Sequence, residues 1–103
     1  MALKIQFTND KGETIQTYKV NGMKTGIVDK CFEVAEKTSK LDMEHMSLKE
    51  MREFYEDIRL LLVDVFRGQF TLDELKEHVE QKELWVCFNN VLKFIGLKII
   101  GKN

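Results

Sequence analysis

The stretch from Leu60 to Leu75, together with the apolar stripe that leads into it from Leu48, constrains the fold more than any other part of the chain. Apolar residues recur there at spacings of three and four, which predicts one buried face of an amphipathic helix of about five turns. Gly68 follows where a left-handed residue ends a helix, because glycine reaches positive φ without a Cβ clash. The apolar positions are Leu48, Met51, Phe54, Tyr55, Ile58, Leu61, Leu62, Val65 and Phe66.

The residues after this glycine predict the start of another helix. Thr71 is a typical N-cap, and Glu74, three residues later, completes a capping box. Phe70 precedes the cap, so we expect it to pack against Leu75 and set the angle between the two helices. The chain therefore contains a helix-turn-helix corner.

The sequence of this corner resembles a family signature. Residues 63–75, V-D-V-F-R-G-Q-F-T-L-D-E-L, are similar to the signature of the tail assembly chaperones of long-tailed phages, or prophages, of Gram-positive bacteria. The likeness extends more loosely over most of the chain, and Arg67 and the segment 76–78 depart from it. The matching residues are Val63, Asp64, Val65, Phe66, Gly68, Gln69, Phe70, Thr71, Asp73 and Glu74.

The resemblance implies a role in the assembly of phage tails. Chaperones of this kind bind the tape measure protein and hold it soluble while tail tube subunits polymerise around it. The implied partners are the tape measure protein, further copies of the chain and the tail tube protein. The resemblance also implies a protein of the bacterial host cytoplasm that is left out of the mature virion.

The first residues predict a β-hairpin, in the segment 1–22. Leu3, Ile5 and Phe7 alternate with polar residues, residues 9–12 have turn chemistry, and the chain returns as a second strand. A lone hairpin is marginally stable in water. Two interpretations therefore stand: the hairpin packs on the chain's own helices, or its edge pairs with a partner.

The whole chain predicts a single α+β domain, 1–103, that is mostly α-helical. About four helices follow the hairpin in a helical part, 27–95, and a short tail, 96–103, is either an edge strand or disordered. The first helix starts at Ile27 and ends near Lys40. The stripe of the last helix consists of Leu84, Cys87, Phe88, Val91, Leu92 and Ile95.

Further local signals mark the helix boundaries and the charged surface. Ser47 and Glu50 form another capping box, which predicts the start of the long helix. The segment 81–83 predicts a kink before the last helix. Glu33 and Lys37 are spaced as an i,i+4 ion pair on the first helix.

Charge and hydropathy argue against nucleic acid and membrane as partners. The net charge is −1, whereas a broad nucleic-acid surface has a basic excess. No apolar run approaches the ~20 residues that span a bilayer. The alternating N-terminus is unlike a signal peptide, so we expect an intracellular protein. In a DNA-binding helix-turn-helix, acidic residues of the would-be recognition helix would face the phosphates. They are Asp73, Glu74, Glu77, Glu80 and Glu83.

Side chains for catalysis or metal binding are not arranged in any known pattern. His45 and His78 have no zinc-ligand spacing to each other or to the cysteines. A calcium loop aligned on the corner would put Arg67 at a ligand position, where oxygen is needed. We therefore predict a non-enzyme without metal or cofactor. Cys31 and Cys87 are either buried free thiols or a redox pair.

Trp85 is the candidate interaction residue. It lies beside Phe88 and Leu92, off the centre of the last apolar stripe, and half-exposed aromatics are enriched at interfaces. These three residues are the predicted client or self-association surface, and the alternative is a tryptophan at the edge of the monomer core. Asp64 either lies exposed or hydrogen-bonds into the corner. The alternative functions are a nucleic-acid-binding phage regulator and a structural tail subunit.

Overall fold

The computed structural model describes residues 2–97. Within that range the chain forms an N-terminal antiparallel hairpin followed by four helices, so the predicted α+β, mostly helical class is confirmed. The predicted tail lies largely outside the described residues. The elements are β1 (Leu3–Thr8), β2 (Thr14–Val20), α1 (Thr25–Ser39), α2 (Leu48–Val65), α3 (Leu72–His78) and α4 (Gln81–Phe94).

The hairpin pairs Leu3 with Val20 at its open end and has an irregularity after Phe7. Its turn is stabilised by Asn9, whose side-chain oxygen accepts hydrogen bonds from the backbone N–H groups of Lys11 and Glu13 at 2.9 and 3.0 Å. Such local side-chain bonds are what makes asparagine a turn residue. The turn chemistry predicted from the sequence is therefore present.

The hairpin packs on the chain's own helices. The apolar side chains of β1 are buried, and α4 covers the backbone edge of β1 that does not face β2. There the Gln6 N–H donates to the Glu83 carboxylate at 2.9 Å, and the Cys87 thiol donates to the Lys4 carbonyl at 3.6 Å. Helix side chains thus satisfy backbone groups that an isolated edge strand would expose.

The corner between α2 and α3 has the predicted caps and one additional feature. Both capping boxes are formed, by Ser47 with Glu50 and by Thr71 with Glu74. Gly68 has a φ of 70°, as predicted, but Arg67 before it is also left-handed, with a φ of 58°. A Cβ added to Gly68 would meet nothing within 4 Å, so this position favours glycine for its φ alone.

The core lies between the hairpin, α2 and α4, and it includes the corner. The buried residues of α2 are Phe54, Ile58, Leu61, Leu62 and Val65. Two positions of the predicted buried stripe are instead uncovered, because Leu48 is 80% exposed and Met51 is 40% exposed. Their prediction as core residues was wrong, because the stripe continues beyond the elements that cover the rest of α2.

Two local expectations also need correction, the kink at 81–83 and the ion pair of Glu33 with Lys37, and His78 has a specific partner. The chain breaks at Val79, which is extended, so α4 starts as a separate helix at Gln81 where a kink was predicted. His78 is half-buried, with Nδ1 3.3 Å from the Thr8 carbonyl oxygen, because α3 packs against β1. Lys37 bonds the Asp57 carboxylate at 2.8 Å, so its partner lies on α2 and not one turn away on α1.

Candidate protein-binding site

A groove runs along the first turns of α2. It has a volume of about 820 Å³, and Leu48, Met51 and Tyr55 form its apolar floor. These residues continue the spacing of the buried Ile58 and Leu62 on the same helix face. The groove is therefore an extension of the core-facing stripe of α2 that no described element covers.

The lengths of the helices explain why the stripe is uncovered. The 18 residues of α2 extend over about 27 Å, whereas the 7 residues of α3 extend over about 10 Å. A short helix cannot cover a long one, and the chain turns at Val79 before it reaches the first turns of α2. The sequence contains this signal, since the apolar stripe of the third helix is thin and consists of Leu72, Leu75 and Val79.

The walls of the groove are charged, with more basic than acidic side chains. The Glu56 carboxylate forms ion pairs with two basic residues, since its Oε1 lies 3.5 Å from Arg59 Nη1 and 3.6 Å from Lys76 Nζ. Among residues 2–97, Lys49 and Arg52 take part in no ion pair. Within the same range, Glu53 also lines the groove without an ion pair, so the groove presents a net positive charge beside its apolar floor.

Tyr55 links this groove to α4. The Gln81 side chain donates to the Tyr55 hydroxyl at 2.9 Å, and the Trp85 indole N–H donates to the same oxygen at 3.4 Å. The Arg59 guanidinium carbon lies 6.0 Å from the centre of the Tyr55 ring, within the range of a cation–π contact. These contacts hold the Tyr55 ring in place as part of the groove floor.

The three residues predicted as an interaction surface have different surroundings. Phe88 and Leu92 are fully buried in the core, whereas Trp85 is half-buried. The Trp85 ring packs against Phe54 and Phe88, with ring centres 5.5 and 6.3 Å away. In this conformation, Trp85 closes the edge of the core, and Phe88 and Leu92 offer no surface to a partner. The role of Trp85, Phe88 and Leu92 in binding stays a prediction. Binding through Phe88 or Leu92 would require α4 to move.

The signature residues build the corner and attach it to the rest of the domain. Val65, Phe66 and Phe70 are buried, and Val63 is half-buried. The ring centre of Phe70 lies 4.9 Å from that of Phe7 on β1. The capping box and the left-handed turn described above account for Thr71, Glu74 and Gly68, and Asp73 lies exposed in the first turn of α3.

Two polar residues of the signature make long-range contacts. The Gln69 side-chain amide donates to the Lys19 carbonyl at 3.0 Å, which attaches the corner to β2. Asp64 forms an ion pair of 2.9 Å with Lys30, which attaches α2 to α1. Asp64 thus contacts another part of the domain, but its partner Lys30 lies on α1 and not in the corner.

The chemically reactive side chains are distributed without a shared site. Cys31 and Cys87 are buried free thiols; burial raises the pKa of Cys31 to about 11, and burial also raises the pKa of Cys87. His45 lies on the surface, with Nδ1 2.9 Å from the Asp42 carboxylate. Across residues 2–97, no group of three or more His, Cys, Asp or Glu side chains is placed to hold a metal ion.

Of the helices in the described part of the chain, none combines the length and the apolar character needed to span a membrane.

Comparison with known proteins identifies the family. No curated protein and no solved structure matches the chain. A family model described as phage tail chaperone protein matches residues 1–99, which is nearly the whole chain and includes the corner signature. The chain belongs to the phage tail chaperone protein family.

Proposed function

We propose that this chain is a non-catalytic tail assembly chaperone that binds the tape measure protein and associates with further copies of itself. The family match supports the role in tail assembly. The observation that carries the binding proposal is the uncovered groove on α2, with Leu48 at 80% exposure on its floor. Exposed apolar patches with polar rims are typical of protein-binding sites.

The client segment that suits this groove is an amphipathic helix. Helix-in-groove recognition places an apolar helix face into an apolar groove. Met51 and Leu48 offer flexible, adaptable contacts, since methionine can fill irregular gaps against different side chains. This adaptability suits a chaperone that must accept successive helical segments of one long client.

The charge of the groove adds a preference among such helices. Lys49 and Arg52 line the groove without ion-pair partners among the described residues. A helix with acidic residues beside its apolar stripe would pair with them, and complementary charge speeds association and suppresses wrong partners. We therefore propose that the bound segments of the tape measure protein have acidic flanks.

Co-expression with the tape measure protein of the same phage tests this proposal. The unmodified chain should keep the tape measure protein soluble and co-purify with it. The double variant Leu48→Ser, Met51→Ser should lose most of the co-purified protein, because both substitutions remove apolar surface from the groove floor.

The matched control is Leu60→Ser. Leu60 is 47% exposed on the same helix but does not line the groove, so this variant should retain the client. Circular dichroism should show the same thermal transition for both variants. Equal co-purification by the groove variant and the control would exclude the groove as the client site.

The location of the protein follows from the same role. We propose that it acts in the cytoplasm of a Gram-positive host, contacts the tail tube protein only during assembly, and is left out of the finished virion. Mass spectrometry of purified particles should then find no stoichiometric amount of the chain. A stoichiometric amount would instead indicate a structural tail subunit.

A further inference from the structure

The outer face of α1 has the opposite charge to the groove. Asp29, Phe32 and Glu36 follow each other at spacings of three and four, so they share one face of the helix. Phe32 is 44% exposed, a high value for a large apolar side chain. Across residues 2–97, Asp29, Glu33 and Glu36 form no ion pair, and with Lys40 at the end of the same face the net charge is negative.

The contacts of α1 with α2 fix which way this face points. Lys30 pairs with Asp64 and Lys37 pairs with Asp57, at 2.9 and 2.8 Å, so the basic side of α1 is turned towards α2. The acidic side with Phe32 is left facing solvent. The domain therefore separates an acidic apolar face on α1 from a basic apolar groove on α2.

We propose that, in the absence of a client, the acidic face of α1 from a second copy of this chain docks into the α2 groove. Phe32 would lie on the floor of Leu48 and Met51, and the carboxylates of α1 would pair with Lys49 and Arg52. The face of α1 is helical, and the groove on α2 has the shape to accept a helix. Each surface has charged side chains without ion-pair partners among the described residues, and the two net charges are opposite. This inference deepens the self-association proposed above by naming its two surfaces.

The two surfaces differ, so the contact joins copies head to tail. A contact between unlike surfaces closes into a ring or extends as an open chain, whereas a two-fold dimer uses the same surface twice. The docked α1 also occupies the place proposed for the client helix. Self-association and client binding therefore compete for one groove. The α1 helix of a neighbouring copy covers the apolar floor of the groove until a client helix displaces it.

Sedimentation of the purified chain tests the contact without any client. The weight-average mass of the unmodified chain should rise with protein concentration. Arg52→Glu on the groove and Glu36→Lys on α1 each reverse one charge of the interface, and each should weaken association about tenfold or more. Both side chains are exposed, so neither change disturbs the core.

A mixture of the two charge variants gives the decisive readout. The Arg52→Glu chain keeps an intact acidic face, and the Glu36→Lys chain keeps an intact groove, so an equimolar mixture should associate more strongly than either variant alone. A mixture that stays monomeric, or an unmodified chain that stays monomeric at high concentration, would overturn the proposal.

The apolar part of the contact is tested with Phe32→Ser and the matched control Leu60→Ser. Both residues are exposed to a similar degree, at 44% and 47%, but only Phe32 lies on the acidic face. Phe32→Ser should sediment as a monomer, and Leu60→Ser should behave as the unmodified chain. Equal behaviour of the two variants would contradict the proposed contact.

The outcomes separate this inference from the proposed function. If the tape measure protein fails to bind but the variant mixture associates, the self-association surfaces stand and the client proposal fails. If the tape measure protein binds and the mixture stays monomeric, the client proposal stands and this inference fails.

Discussion

The two halves of α2 have the same apolar periodicity, but the core covers less of the first half, where Phe54 is buried and the groove residues are not. In the second half, Ile58, Leu62 and Val65 are almost fully buried, whereas in the first half Leu48 and Met51 are exposed. Periodicity specifies which face of a helix is apolar, but it does not specify how much of that face the rest of the domain covers. The difference shows where this small domain has apolar surface left for a partner.

The exposed half is still built as a regular helix. Ser47 and Glu50 form a complete capping box at its start, so local hydrogen bonds hold its first turn without tertiary cover. A helix end without packing is otherwise prone to fray. The cap therefore maintains the shape of the groove while the groove is empty.

The two halves should differ most in how far truncation of a leucine side chain lowers the free energy of unfolding. Leu62→Ala should lower the free energy of unfolding by about 3 kcal/mol, because the side chain is fully buried and its loss leaves a cavity. Urea denaturation measures this change. A cost below about 1 kcal/mol would show that the second half of α2 is packed more loosely than the structure indicates.

An intermediate effect is expected at the two capping boxes. Thr71→Ala at the corner should cost about 1 kcal/mol, because the cap oxygen accepts a hydrogen bond from the Glu74 N–H. Ser47→Ala removes the same kind of bond, but its cost should be smaller, since the first turn of α2 can fray locally while the domain stays folded. Equal costs in urea denaturation would show that the uncovered half is as strongly coupled to the core as the corner.

The smallest expected effect on stability is at the groove floor. Leu48→Ser should change the free energy of unfolding by no more than about 0.5 kcal/mol, because the side chain is already 80% exposed. The same substitution should weaken binding of the client helix. A large loss of stability in the isolated monomer would mean that another part of the chain covers Leu48 in solution. The self-association proposed above predicts such a loss only at concentrations where copies associate.

Much of the fold was predictable because its signals are local. The capping boxes at Ser47 and Thr71, the hairpin turn and the helix stop at Gly68 each depend on a few neighbouring residues, and the structure contains all of them. The left-handed Arg67 was missed because only glycine, and to a lesser extent asparagine, announces that conformation in a sequence. Its position became visible only in the folded turn.

The candidate site was much less predictable. Phe88 and Leu92 were placed on a surface because they neighbour Trp85 in the stripe, yet the hairpin, α2 and α1 together enclose this side of α4. Leu48 and Met51 were placed in the core for the opposite reason, since they continue a stripe that is buried elsewhere. In both places the exposure depends on coverage by elements that are distant in sequence.

The sequence by itself determined the elements, their order and the family. Caps, turns and apolar periodicity act over a few residues, and the corner signature is continuous in the chain, so all of these could be recognised without coordinates. Only the tertiary structure decided that the groove stays open and that the acidic face of α1 points outward. Those outcomes depend on the short length of α3 and on ion pairs such as Lys30 with Asp64, which join residues far apart in sequence.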